Sequence, residues 1–136
     1  MKSLMDQQKI NFKHLAMRVF DADRLVLSQS TAYQVIAEFK QTRVRFYASE
    51  NKRYKEPLVF VAPLAINMDI YDLYPYRSLV KHFQDSGFDV YLIDWGKPGP
   101  EDSGLSLETY TVDWFPKALK AIREHSGSEE LSLMGY

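Results

Sequence analysis

The 136-residue chain contains no cysteine, which excludes a disulfide framework and any thiolate metal site within it and fits a reducing compartment. It also lacks an excess of either charge. Seventeen basic against eighteen acidic side chains give a formal charge of -1, so no overall field draws it to nucleic acid or to an anionic membrane, and no nucleic-acid partner is expected. A long apolar run is missing too: the longest, Leu58 to Ile66, is nine residues and includes Pro63, far below the ~20 that a membrane-spanning helix needs. The N-terminal stretch, with Asp6, Lys9, Lys13 and His14 spread through it, has no apolar block of the kind a signal peptide carries. Internal repeats, low-complexity blocks and Gly/Ser linkers are likewise absent. What is present, 46% hydrophobic and 14% aromatic residues against 26% charged, is the composition of a folded, single-domain chain. A cytoplasmic globular protein is expected.

The hydrophobic period changes repeatedly along the chain, as alternating strands and helices require. Residues 10–27 carry a helical stripe of Phe12, Leu15, Ala16, Val19 and Phe20, which predicts a covering helix in an N-terminal segment over residues 1–41. From Thr42 to Ala48 the pattern alternates, with Thr42, Val44, Phe46 and Ala48 on one side and Arg43, Arg45 and Tyr47 on the other, predicting a half-buried strand. Leu58 to Ala62 is apolar on both faces, as in a central strand of a parallel sheet. Tyr76, Leu79, Val80 and Phe83 recur at helical spacing before Gly87, and Phe88 to Ile93 then reads as a strand. The segment Asp94-Trp95-Gly96-Lys97-Pro98-Gly99-Pro100 cannot continue that strand and is expected to be a surface loop. Ser106 can cap a helix buried through Leu107, Tyr110, Trp114, Ala118, Ala121 and Ile122, with a kink or late start at Pro116 and an end near Gly127. Leu131 to Met134 is a short closing strand before Gly135-Tyr136. The order predicts parallel βαβ units in a domain over residues 42–136.

In open parallel sheets the chemistry sits at the carboxyl ends of the strands. Three such ends are visible: Pro63 to Pro75, Asp94 to Gly104, and Gly135-Tyr136, the last without a following loop or helix. That third end predicts an interrupted strand-turn-helix unit. His14, His82 and His125 are scattered over predicted helices and read as surface residues, so no metal site is expected. Gly96 to Pro100 does not have the spacing of a phosphate-binding loop, and its prolines remove amide donors. The aromatic group Tyr71, Tyr74, Tyr76 and Trp95 could line an apolar pocket or pack as core; core is favoured for Tyr76.

Four segments together carry a family resemblance: "APL" at 62–64 with "DLYPYRSLV" at 72–80, "GFDVYLIDWGKPG" at 87–99, "LSLETYTVDWFPKALKAIRE" at 105–124, and "LSLMGY" at 131–136. They resemble the N-terminal part of the α/β-hydrolase domain of polyhydroxyalkanoate synthases, the polyester-forming acyltransferases. Asp94-Trp95-Gly96 at a strand end is the most specific match, and a weaker similarity extends from Thr31 to Tyr47. The sequence departs from the family pattern at Pro63-Leu64-Ala65-Ile66-Asn67-Met68, where the usual asparagine is displaced or the loop differs, and at Pro116, which has no usual counterpart.

The resemblance implies the N-terminal half of an α/β-hydrolase fold, a parallel sheet with helices on both faces, interrupted before the nucleophile elbow. In the family the last strand runs into a Gly-x-Cys-x-Gly elbow, so Gly135 and Tyr136 would begin the elbow and the nucleophile would follow Tyr136. One oxyanion donor would come from the loop at Leu64, Ala65, Ile66 and Asn67. Asp94 and Trp95 would stand at the pocket rim, Asp94 preceding the elbow and therefore not serving as the triad acid. The triad acid and histidine would lie further along the chain, which predicts that residues 1–136 alone are inactive. The implied substrates are an acyl-CoA thioester and a growing polyester chain, with no cofactor, at the cytoplasmic surface of a polyester granule. The implied protein partners are a second synthase subunit or further copies of the same chain. A serine esterase of the same fold and a non-catalytic doubly wound binding domain are the alternatives.

Overall fold

A computed structural model describes residues 31–64 and 68–135. The predicted helix over residues 10–27, with His14, lies outside them. Two strands open the described part, β1 (Gln34–Phe39) and β2 (Thr42–Tyr47). They form an antiparallel hairpin in which Phe39 faces Thr42 across Lys40 and Gln41, with Lys40 in the left-handed region at φ 54°. β1 falls within residues 1–41, where the sequence reading expects a helical covering segment. A register shift between Val35 and Ala37 explains the difference: a bulge breaks the two-residue alternation by which a strand is recognised.

β2 is also more deeply buried than expected. Thr42 and Val44 on one side are buried, but Arg45 and Tyr47 on the other are also only 5% and 0% exposed, so the strand is covered on both sides rather than half-buried. Tyr33 covers Arg45 and Tyr47, with its ring 5.5 Å from that of Tyr47 and 4.7 Å from the Arg45 guanidinium carbon.

The central strand β3 (Leu58–Val61) is buried through Leu58, Val59 and Phe60. After a 3-10 turn at Met68–Tyr71, a small separate hairpin of β4 (Asp72–Tyr74) and β5 (Arg77–Ser78) leads into α1 (Leu79–Asp85). The buried carboxylate of Asp72 anchors this hairpin by accepting the backbone N–H and the hydroxyl of Thr31, each at 2.9 Å. Ser78 caps α1 by accepting the Lys81 N–H at 2.9 Å. Tyr76, expected as core at the head of this helix, instead sits in the hairpin turn, 79% exposed and stacked on Tyr74 at 5.9 Å. The hairpin ends the helical period before it reaches residue 76.

β6 (Val90–Asp94) is buried at every position. A π-helical segment at Thr109–Trp114 then runs into α2 (Phe115–Ser126), which closes at Gly127 in the left-handed region, φ 68°. The wider π turn accommodates Pro116, whose missing N–H and ring would disrupt a continuous α-helix. Trp114, Ala118 and Ile122 are buried as the stripe predicts, whereas Leu107 is 66% exposed. β7 (Ser132–Gly135) completes a five-stranded sheet of order β1-β2-β6-β3-β7. β6 and β7 flank β3 in parallel, while β2 joins β6 antiparallel.

Phe60 and Leu92 are register partners, so Tyr91, the neighbour of Leu92, points to the opposite face. Phe83 of α1 meets Phe60 at 5.9 Å, and His125 of α2 meets Tyr91 through a 2.8 Å hydrogen bond to the Tyr91 hydroxyl. The two helices therefore cover opposite faces of one sheet.

Candidate functional site at the carboxyl ends of the parallel strands

Because β3, β6 and β7 are parallel, Val61, Asp94 and Gly135 end on the same side of the sheet. An apolar cleft of about 250 Å³ opens there, lined by Val61, Ala62, Pro63 and Leu64 after β3, Trp95 after β6, and Tyr110, Thr111 and Phe115 before and at the start of α2. Gly135 is the register partner of Val61, which puts the end of β7 beside one wall of the cleft.

The Asp94-Trp95-Gly96 segment builds the other wall, and each residue has a separate job. Trp95 is 5% exposed, and its indole N–H donates to the Ala62 carbonyl at 2.7 Å, joining the exits of β6 and β3. Tyr110 meets the indole edge-on at 5.7 Å and Trp114 at 4.8 Å, so the ring is held from a second side. Asp94 turns away from the cleft. One carboxylate oxygen accepts from the Arg45 guanidinium and the other from the Gly96 N–H at 2.9 Å. Burial works against the Arg45 charge, but Asp94, helped by Tyr47 and Tyr33, outweighs it and holds the guanidinium above its ordinary value. Gly96 has φ +71°, and a Cβ there would collide with the carbonyl oxygen of Gln41, so the loop can seat against the β1–β2 turn only with glycine.

Of the oxyanion-loop candidates, Leu64 lies on the cleft wall and is 43% exposed; Ala65, Ile66 and Asn67 lie outside the described residues, as does Tyr136. Trp95 lines the cleft, whereas Asp94 lies beneath the loop. From the aromatic group weighed in the sequence, only Trp95 reaches the cleft. Tyr71 stacks on Phe60 at 4.9 Å and donates its hydroxyl to the Val61 carbonyl at 3.3 Å, and Tyr74 and Tyr76 stack on each other in the β4–β5 hairpin. Nothing in the sequence assigns Phe115 or Thr111 to the site, and its helical stripe puts Tyr110 in the core; the π turn alters the face these residues present. The sequence also does not single out the Arg45–Asp94 pair; its signal is a second arginine in β2 beside a strand that ends in aspartate. His82 and His125 are both exposed. No cluster of three or more potential metal-ligating side chains, and no helix long and apolar enough to cross a membrane, occurs among the described residues.

Residues 56–136 match the family described as alpha/beta hydrolase fold. The chain belongs to this alpha/beta hydrolase family. Within it, the hydrolase-fold chain is similar to proteins named poly(3-hydroxyalkanoate) polymerase subunit PhaC. It is 35% identical to the one from Haloferax mediterranei over 107 residues, 78% of this chain and 22% of that protein. With the Synechocystis protein it shares 34% identity over 101 residues, 74% of this chain and 27% of the relative. Against the Allochromatium vinosum protein it is 29% identical over 119 residues, 86% of this chain and 34% of the relative. The hydrolase-fold chain thus spans between about a fifth and a third of the length of these polymerase subunits.

Proposed function

We propose that this chain forms the first part of a polyhydroxyalkanoate synthase-like acyltransferase, which polymerises hydroxyacyl-CoA thioesters through a cysteine that follows Tyr136. The observation that carries the reading is the parallel pairing of Val61 with Gly135 beside the apolar cleft. If the register continues, the residue after Tyr136 lies level with Pro63 and Leu64, where an acyl group in the cleft would present its carbonyl. Similarity to the polymerase subunits supports the same assignment.

In this reading a thiolate, activated by a histidine from later in the chain, attacks the thioester carbonyl. The carbon–sulfur bond to CoA breaks, the CoA thiolate takes up the proton, and the acyl group remains on the enzyme as a new thioester. The hydroxyl end of the growing polyester then attacks that acyl-enzyme and regenerates the thiol. Backbone N–H groups among Leu64, Ala65, Ile66 and Asn67 would stabilise the negative oxygen formed in each step, and the apolar walls would hold the acyl chain. The reaction as proposed uses no metal or cofactor. An enzyme with a polyester product would work at the cytoplasmic surface of a polyester granule, alone or with a partner subunit.

The test is to read the coding sequence after the Tyr136 codon, express the full-length protein and measure CoA release from a 3-hydroxyacyl-CoA. The expected result is Cys-x-Gly-Gly after Tyr136 and loss of CoA release in the Cys→Ala variant. Serine at that position would instead indicate an esterase, and absence of any nucleophile there would sink the catalytic reading.

A further inference from the structure

The geometry points to Trp95 as a positioning residue for the oxyanion donor of the β3 exit loop, an inference that rests on the acyltransferase reading above. The Ala62 carbonyl is taken by the indole N–H at 2.7 Å, which orients the plane of the Ala62–Pro63 peptide. That peptide is trans, since no cis bond occurs among the described residues. Pro63 contributes no N–H, and its ring locks φ near −65°. Beyond the Ala62 carbonyl, the first amide able to donate to a bound oxygen is therefore that of Leu64, and a single soft torsion, ψ of Pro63, separates it from the peptide that Trp95 holds.

The anchor itself is rigid. The indole is buried and braced edge-on by Tyr110 at 5.7 Å. The backbone on its C-terminal side is pinned by Asp94, which accepts the Gly96 N–H at 2.9 Å and is itself held by Arg45. Trp95 thus transmits the fixed geometry of β6 to the loop after β3 through one hydrogen bond. The ring also forms part of the cleft wall, so its removal would confuse two roles. The N–H must be deleted with the ring kept.

The experiment replaces Trp95 in the full-length protein with its benzothiophene analogue, which preserves shape but cannot donate, and in parallel makes Trp95→Phe. CoA release from a 3-hydroxyacyl-CoA is measured in steady state alongside the melting temperature. Misplacing an oxyanion donor leads us to expect a fall of roughly 10- to 100-fold in kcat for the analogue, with KM within about twofold. Retention of kcat within about twofold, or a rise in KM alone, would show that Trp95 serves only as a wall and would overturn the inference. A wild-type protein without CoA release would overturn the acyltransferase reading itself, and this inference with it, so the two failures are distinguishable.

Discussion

The loop after β6 is governed by a few side chains whose removal has unequal consequences. Arg45 and Asp94 form a buried pair, with side chains 6% and 13% exposed, and Asp94 also holds the Gly96 N–H. Arg45→Met leaves that carboxylate buried without its counter-charge, so we expect a loss of about 3–5 kcal/mol, read from the denaturant midpoint of the full-length protein. Two glycines offer an internal control. Gly96 and Gly127 have nearly the same left-handed φ, +71° and +68°, but a Cβ at Gly127 meets nothing within 4 Å whereas one at Gly96 runs into the Gln41 backbone. Gly127→Ala should therefore cost only the conformational strain, about 1 kcal/mol. Gly96→Ala should cost clearly more, and equal losses in the two variants would show that the close approach to Gln41 does not matter. None of this distinction is legible in the sequence, where the two glycines look alike at the ends of their elements.

Among the elements, the central strands are the most legible. Leu58 to Val61 and Val90 to Asp94 bury both faces, so composition alone identifies them, and Gly127 marks the end of α2 as its position suggests. Legibility fails where neighbours decide. The β1 bulge disguises a strand, the π turn rotates Tyr110 and Phe115 onto the cleft, and the β4–β5 hairpin carries Tyr76 out to solvent. Burial across β2 and β6 has a measurable signature at high pH. Desolvation pushes the phenols of Tyr47 and Tyr91 up to about 12, the Tyr47 shift being opposed in part by Arg45. The unfolded phenols ionise near 10, so between pH 10 and 12 the unfolded chain binds fewer protons than the folded one and stability falls as pH rises. The melting temperature should decline over that window, and the double variant Tyr47→Phe/Tyr91→Phe should flatten the decline. An unchanged slope would assign the alkaline loss to other groups.

At the scale of the whole molecule, the described sheet carries β7 at one margin, paired to β3 on one side, with Leu133 52% exposed. An unpaired strand margin bearing exposed apolar side chains is a template for association. Residues 1–136 expressed alone are therefore expected to associate through β7, and Leu133→Lys should shift the population toward monomer in size-exclusion chromatography. A wild-type chain that elutes as a monomer and melts cooperatively would contradict this. The candidate site divides in the same way: the cleft and its Trp95 wall come from elements in this chain, and the resemblance anticipated both strand ends, but the contact joining them depends on side-chain packing that periodicity does not encode.

The strand order has a consequence for the nascent protein. Both neighbours of β3, β6 and β7, are synthesised after it, so Leu58, Val59 and Phe60 leave the ribosome before any segment that can cover their edges has emerged. The β1–β2 hairpin, already complete, cannot take that place, because β6 must insert between β2 and β3. Formation of the sheet is thus delayed until β6 has emerged from the exit tunnel, and the most apolar strand waits in the open for that long. Ribosome-bound chains arrested with β3 outside the tunnel and β6 still inside it should be cleaved readily around residues 58–61, and chains arrested after β7 has emerged should resist.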